Sequence, residues 1–96
     1  MTRAVEFRFR LYVAGDTPNS AQALANLKAL CHTHLGNRCR IEVVDVFREP
    51  GRALADSVFM TPALVRIKPL PARRIVGTLT RAPTVLGALG VNPGAQ

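Results

Sequence analysis

Residues 11–20 constrain the fold more than any other part of the chain, because an apolar strand ends there in a glycine turn and a helix begins directly after it. Apolar and polar side chains alternate through residues 6–13, which predicts a strand with one strongly buried face. The side chains predicted for that face are Phe7, Phe9, Leu11 and Val13. Asp16 or Thr17 can cap the helix, and Pro18 suits its first turn, where the missing N–H has no intrahelical partner.

The rest of the chain predicts a further helix and strand, and then a second α/β segment. Apolar side chains recur at helical spacing to about residue 34, and Gly36 and Asn37 end that helix. Residues 40–47 predict a second strand, and a βαβ unit of this length implies a parallel pair joined by a right-handed crossover.

A short helix is predicted at residues 50–56, a third strand at 61–67 and a fourth at 73–79, with a turn at 69–72 between the two strands. Thr80 is predicted to cap a last helix that runs to Leu89, with Pro83 in its first turn. Residues 91–96 are predicted to form a frayed tail.

Length and composition limit the possible function classes. A chain of 96 residues can form one domain with one core, so we expect a single domain over residues 1–96. Hydrophobic residues make up 48% of it, which is typical of globular proteins. No apolar run reaches the roughly 20 residues that a membrane span needs, and the first residues lack the apolar core of a signal peptide. We therefore expect a cytoplasmic protein that does not bind membranes.

The cysteines and histidines do not predict a metal site. Cys31 and Cys39 are eight positions apart, a spacing that matches no zinc or redox motif. Because cytosolic thiols are normally reduced, we expect two structural thiols. His32 and His34 lie beside Cys31, but two positions on a helix diverge by about 200° and do not converge on one ion. Neither a metal nor a cofactor is predicted.

The net charge of +7 suggests an acidic partner surface or a nucleic acid. The eleven arginines are scattered along the chain, however, and the only group of aromatic residues among them is Phe7, Phe9 and Tyr12. Nucleic-acid binding usually requires a richer stacking platform, so the sequence favours a protein partner.

The predicted order β-α-β-α-β-β-α resembles the thioredoxin fold. In that fold a redox enzyme carries Cys-x-x-Cys where the first strand meets the first helix, but this chain has Thr17-Pro18-Asn19-Ser20 there. Disulfide exchange needs a thiolate at that point, and no Ser-His-Asp or paired-carboxylate pattern appears elsewhere. No catalytic residues and no enzyme activity are predicted. Thr61-Pro62 stands where the fold has a cis proline, and an X-Pro bond can adopt that isomer at low cost.

Five ordered blocks of sequence resemble the KaiB family, small non-enzymatic proteins of the bacterial circadian clock. The blocks are LYVAGDTPNS at residues 11–20, VVDV at 43–46, TPAL at 61–64, PLP at 69–71 and RRIVGTL at 73–79. The resemblance implies a protein that binds a KaiC-like ATPase through its thioredoxin-like state and modulates the phosphorylation and ATPase cycle of that partner.

The resemblance also implies that residues 50–90 can adopt two arrangements, because KaiB is a metamorphic, fold-switching family. One arrangement is thioredoxin-like and monomeric. The other, in which helix and strand positions are exchanged, forms tetramers, so self-association remains open. The predicted hairpin of residues 61–79 favours the thioredoxin-like form, and the tetramer fold is the alternative. The positions expected to decide between them are Pro62, Pro69, Pro71, Gly87 and Leu89.

The resemblance places partner-binding positions mainly on the first helix and the second strand. These positions are Phe7, Gln22, Arg40 and Glu42, with Arg73 and Arg74 as a further pair. Gln22 and Glu42 stand where the clock members carry basic residues. The alternative function is therefore a divergent KaiB-like adaptor for another protein partner, similar in fold to the N-terminal domain of some clock histidine kinases.

Overall fold

The computed structural model describes residues 6–91, which form a four-stranded sheet with helices on both faces. The elements are β1 (Phe7–Val13), α1 (Pro18–His34), β2 (Cys39–Asp45), α2 (Pro50–Ala55), β3 (Ala63–Lys68), β4 (Arg73–Val76) and α3 (Ala82–Leu89), with a 3-10 turn at Gly36–Arg38. The strand order is β2-β1-β3-β4. β1 runs parallel to β2 and antiparallel to β3, and β3 pairs antiparallel with β4. The predicted βαβ unit and the predicted hairpin are both confirmed.

The main core fills the sheet face that α1 and α3 cover. The four β1 side chains predicted for the buried face all lie in it, with Leu27 of α1, Leu64 of β3 and Leu89 of α3. Burial of each large apolar side chain contributes about 1.5–3 kcal/mol, so this layer supplies most of the driving force for folding.

A second, smaller apolar layer lies on the opposite face, under the short helix α2. Its members are Tyr12, Val44, Ala53, Val58, Ala63 and Val65. The alternation of β1 places Tyr12 among the charged residues, yet its side chain is fully buried. The reason is that α2 packs over the carboxyl end of β1, and periodicity does not report what covers the second face of a strand.

Two boundaries in the last third of the chain differ from the sequence prediction. β4 ends at Val76 rather than at residue 79, because Gly77 and Leu79 adopt positive φ angles of 124° and 64° that turn the chain away from the sheet. The cap of α3 is Arg81, not Thr80, because the helix starts at Ala82 with Pro83 in its first turn.

Among the described residues, 6–91, three X-Pro peptide bonds are cis, and they include the predicted Thr61-Pro62 bond. The other two are Lys68-Pro69 and Leu70-Pro71, both in the connection between β3 and β4. The predicted tail mostly lies outside the described residues. Its first residue, Val91, is buried, and its N–H donates to the carbonyl of Leu86 at 2.8 Å, so the prediction of a frayed tail is wrong at that position.

Cys31 and Cys39 form a disulfide with a Cα–Cα distance of 6.1 Å, so the expectation of two reduced thiols is wrong. The chain reverses direction at Gly36–Arg38, and this reversal brings the start of β2 under the last turns of α1. Motif spacing could not reveal the pairing, because it depends on the geometry of that turn. Among residues 6–91, no helix is both long and apolar enough to cross a membrane.

Candidate protein-interaction surface

The junction between β1 and α1 is built from hydroxyl and amide groups. Thr17 is the N-cap residue, but its hydroxyl donates to the Ser20 Oγ at 2.8 Å instead of capping the helix backbone. The Ser20 Oγ also accepts a hydrogen bond from the Ala14 N–H at 3.1 Å, and its side chain is buried. These hydroxyls hold the turn in shape, and the disulfide lies farther along α1 and at the start of β2.

Asp45 supports the same junction from β2. Its Oδ1 accepts hydrogen bonds from the N–H groups of Gly15 at 3.3 Å and Phe47 at 2.9 Å. Its Oδ2 lies 3.9 Å from the Arg48 Nε, so the two side chains form an ion pair. An open cavity of about 530 Å3 lies beside this carboxylate. Its lining includes Asp16 and Glu49, but it places no nucleophile next to a base, so the arrangement is one of structural support.

The predicted partner-binding residues of α1 and β2 lie on two different elements. Gln22 is exposed in the second turn of α1. Arg40 and Glu42 are exposed and two positions apart on the edge strand β2, so they point to the same face of the sheet. The Arg40 Nε lies 2.6 Å from the Glu6 Oε2 in an exposed ion pair, which leaves the Arg40 side chain accessible to a partner.

Glu42 is committed to an ion-pair network inside the chain. Its Oε1 lies 2.8 Å from the Arg10 Nε, and its Oε2 lies 2.8 Å from the Arg52 Nη1. The hydrogen bonds from Arg52 and Arg10 lower the pKa of Glu42 to about 2. Because both carboxylate oxygens already accept strong hydrogen bonds, a partner that used Glu42 would have to compete with two arginines.

The network continues under α2 to the buried tyrosine. The Arg10 Nη1 lies 3.1 Å from the Asp56 Oδ2, and the Tyr12 hydroxyl donates to the same oxygen and to the carbonyl of Arg52 at 3.3 Å. Burial, followed by the hydrogen bond to Asp56, raises the pKa of Tyr12, and the hydrogen bond from Tyr12 lowers the pKa of Asp56. These contacts join β1, β2 and α2 into one unit.

Phe7 is not at the surface. Its side chain is 7% exposed, belongs to the main core and stacks on Phe9 with the ring centroids 6.1 Å apart. The expectation that Phe7 faces a partner is therefore wrong in this arrangement, because the side chain lies on the buried face of β1.

Arg73 and Arg74 lie at the opposite edge of the sheet from Arg40. Both are exposed on β4, and as consecutive strand residues they point to opposite faces. The Arg74 Nη1 donates to the carbonyl of Ser57 at 3.2 Å, a contact that directs its side chain towards the loop before β3.

Arg66 is the functional candidate that the sequence prediction missed. It is 4% exposed, and its Nη1 and Nη2 each donate at 2.6 Å, to the carbonyls of Leu89 and Pro71 respectively. Burial lowers the pKa of Arg66, and among residues 6–91 its Nε has no hydrogen-bond partner. The alternation of β3 could have indicated this burial, because Arg66 is two positions from the core residue Leu64 and therefore points to the same face of the sheet.

Gly90, the C-cap of α3, makes room for this arginine. Its φ of 74° is left-handed, and a Cβ at this position would lie 2.5 Å from the Arg66 Nη1.

The three proline positions that were expected to determine the fold all carry cis peptide bonds. Of the other two, Leu89 is buried and Gly87 is an exposed residue of α3. Within residues 6–91, no group of three or more His, Cys, Asp or Glu side chains is placed to hold a metal ion.

Comparison with known proteins identifies the family. The model of the KaiB domain matches residues 10–91. The chain belongs to the KaiB family. It is 36% identical to circadian clock protein KaiB3 of Synechocystis over 84 residues, which cover 88% of this chain and 82% of that protein. It is 42% identical to circadian clock oscillator protein KaiB of Synechococcus elongatus over 77 residues, 80% of this chain and 76% of that one.

Solved structures place this KaiB-family chain in the thioredoxin-like class. The N-terminal domain of SasA from Synechococcus elongatus superposes with a TM-score of 0.73 at 23% identity, covering 100% of this chain and 94% of that one. Mitochondrial thioredoxin 3 of Saccharomyces cerevisiae gives a TM-score of 0.71 at 17% identity, with coverage of 91% and 80%. Both likenesses establish the fold. KaiB homologues are non-enzymatic clock proteins, so the chain is a KaiB-type clock protein and not an enzyme.

Proposed function

We propose that this chain binds a KaiC-type ATPase in its thioredoxin-like state and thereby modulates the phosphorylation and ATPase cycle of that partner. The observation that carries the proposal is the arrangement of residues 57–91. In a chain of the KaiB family, these residues form β3, β4 and α3 of a thioredoxin-like sheet. This is the arrangement that the family resemblance associates with partner binding.

The exposed residues of α1 and β2 form the proposed contact surface for the ATPase. Gln22 and Arg40 are its main members because both side chains are accessible. Glu42 borders this surface, and its pairing with Arg10 and Arg52 gives it a structural role. Gln22 and Glu42, where clock members carry basic residues, support the alternative that the chain serves a different protein partner.

Binding of the purified chain to a purified KaiC-type ATPase tests the proposal. The affinity is measured by biolayer interferometry in the presence of ATP, and the phosphorylation state of the ATPase is followed over time. We expect Arg40→Ala to weaken binding and Gln22→Arg to strengthen it, because a basic side chain at position 22 restores the charge of the clock members.

Lys28→Ala is the matched control, since Lys28 is exposed on α1 but lies on a different side of the helix from Gln22. Lys28→Ala should leave the affinity for the ATPase and the time course of its phosphorylation unchanged. Absence of binding by the folded chain would reject the KaiC-type partner and favour the divergent adaptor. Light scattering on the free chain should report a monomer, and a tetramer would contradict a binding-competent ground state.

A further inference from the structure

The charges of the chain are segregated along the sequence. All six acidic residues lie before residue 57, and none lies in residues 57–96. The later segment contains five basic residues, of which only Arg66 is buried. The four exposed ones are Lys68, Arg73, Arg74 and Arg81. The side of the molecule that carries β4 therefore presents cations that the same segment does not neutralise.

An apolar pocket opens beside one of these cations, Arg74. Its volume is about 180 Å3, and it is lined by Ser57, Val58, Phe59, Met60, Ala63, Val65, Arg74 and Val76. Phe59 is 81% exposed, Met60 66% and Val76 51%, so three large apolar side chains meet water around one opening. Single exposed apolar residues are common, but a contiguous group bordered by charge is typical of an interaction site.

The strand next to the pocket, β4, is one of the two edge strands of the sheet. β4 pairs with β3 from Ala63↔Val76 to Arg66↔Arg73 and is the last strand in the order β2-β1-β3-β4. An edge strand presents unpaired N–H and C=O groups, which an extended peptide can use to add one more strand. Arg74 and Val76 share the face of β4 that lines the pocket, so an added strand would run alongside both.

From this combination we infer that the β4 edge docks an extended, acidic and apolar segment of a partner protein. The segment pairs with β4, places an aliphatic side chain in the pocket beside Phe59 and Val76, and sets a carboxylate against Arg74. This surface goes beyond the proposed function, because it lies at the opposite edge of the sheet from Arg40 and the other β2 residues.

The local electrostatics favour an acidic occupant. Asp56 is the carboxylate whose pKa Arg74 helps to lower, but the Asp56 Oδ2 already accepts hydrogen bonds from Tyr12 and Arg10. The contact of Arg74 with the carbonyl of Ser57 satisfies one N–H, and no carboxylate within residues 6–91 forms an ion pair with its guanidinium. A nucleic acid would satisfy the charge but would leave the aliphatic lining of the pocket without a complementary group, so a protein segment fits both features.

The test uses the full chain and a short synthetic peptide in which acidic residues alternate with valine. Binding is followed by the amide chemical shifts of the 15N-labelled protein at low and high salt. The same peptide with lysine in place of the acidic residues, and a single-stranded DNA oligonucleotide, serve as competing probes. We expect the acidic peptide to shift the resonances of residues 57–60 and 73–76 and to lose affinity at high salt.

Two pairs of variants separate a built surface from general charge attraction. Arg74→Glu should weaken peptide binding about tenfold, because it sets like charges against each other. Arg81→Glu makes the same charge change at an exposed position that does not line the pocket and should have a much smaller effect. Phe59→Ser should likewise weaken binding. Phe47→Ser, at an exposed phenylalanine after β2, should not.

Each other outcome would overturn the inference. Equal losses of peptide affinity for Arg74→Glu and Arg81→Glu would show that binding depends only on net charge. Tighter binding of the oligonucleotide than of the peptide to the same residues would show that the site binds nucleic acid. Shifts that appear with protein concentration alone would assign the edge to a second copy of the chain, and absence of shifts would remove the site. No ATPase is present in the assay, so its result is independent of the proposed function.

Discussion

Residues 6–56 and residues 57–91 are held in place by different kinds of interaction. In the first region, ion pairs link β1, β2 and α2, and a disulfide joins α1 to β2. In the second region, α3 packs on the sheet through apolar side chains, β4 pairs with β3, and the buried Arg66 donates to two backbone carbonyls. Each region contains an arginine on a strand that is covered by a helix: Arg10 in the first region and Arg66 in the second. Arg10 pairs with carboxylates, whereas Arg66 donates to backbone carbonyls.

The difference shows which part of the molecule can be displaced at lower cost. Several independent contacts would have to break before α2 separated from β1 and β2, whereas few polar contacts hold α3. Two arrangements of one sequence can both be populated only when they differ by a few kcal/mol. Within the segment 50–90, for which the family resemblance implies a rearrangement, the part after α2 therefore has the simpler set of contacts to break.

The largest expected effect comes from removing Arg66, the buried cation of the second region. Arg66→Met fills the same space with an unbranched apolar side chain but leaves the carbonyls of Leu89 and Pro71 without their donors. We therefore expect a loss of roughly 3 kcal/mol in the free energy of unfolding. Urea denaturation measures the loss, and hydrogen exchange should show faster exchange mainly in α3. Arg74→Met, which removes an exposed contact, should change stability by less than about 0.5 kcal/mol. An unchanged Arg66→Met protein would mean that packing alone holds α3.

A smaller, global effect is expected from opening the disulfide of the first region. Reduction removes the constraint on a short loop of the unfolded chain, which should lower the free energy of unfolding by about 2.5 kcal/mol. Because the constraint acts through the unfolded state, the loss should appear in every amide that exchanges by global unfolding. Urea denaturation with and without a thiol reductant measures it, and the Cys31→Ala, Cys39→Ala double variant should not respond to the reductant. A loss confined to α3 would contradict the division into two regions.

The smallest effect is a dependence on pH that originates in the first region. The pKa of Glu42 falls from its ordinary value of 4.5 to about 2 on folding, so its contribution is complete above pH 4.5 and is lost as the pH drops towards 2. The side chain is 46% exposed, and solvent screening limits the loss to less than about 1 kcal/mol.

Urea midpoints at pH 7 and pH 3 measure this dependence, and Glu42→Gln should reduce the difference between them. Asp56, whose pKa is also lowered, should account for part of the remainder. Residues 57–91 contain no carboxylate side chain, so they contribute nothing to the change in stability between pH 7 and pH 3. An equal pH response in the Glu42→Gln protein would show that the ion pairs with Arg10 and Arg52 do not stabilise the fold.

Sequence patterns predicted the elements better than the contacts between them. The alternation of β1 and the helical spacing of α1 were correct, since each depends on local geometry. The cis Pro62 was correct because Thr61-Pro62 stands where the thioredoxin fold has a cis proline. The burial of Tyr12, the role of Arg66 and the pairing of Cys31 with Cys39 were missed, because each depends on an element distant in sequence or on the course of a turn. Of the partner-binding positions that the resemblance implied, Gln22 and Arg40 are exposed, whereas Phe7 is buried, as the alternation of β1 predicted.

The shared space of Arg66 and Gly90 has a consequence for how relatives of this chain can vary. A side chain at position 90 would require the Arg66 guanidinium to shift and to give up its present hydrogen bond to the Leu89 carbonyl. A relative that docks α3 in the same way should therefore carry a residue other than arginine at position 66 whenever position 90 is not glycine. The residues at positions 66 and 90 would then indicate, from sequence alone, whether α3 docks on the sheet as it does in this chain.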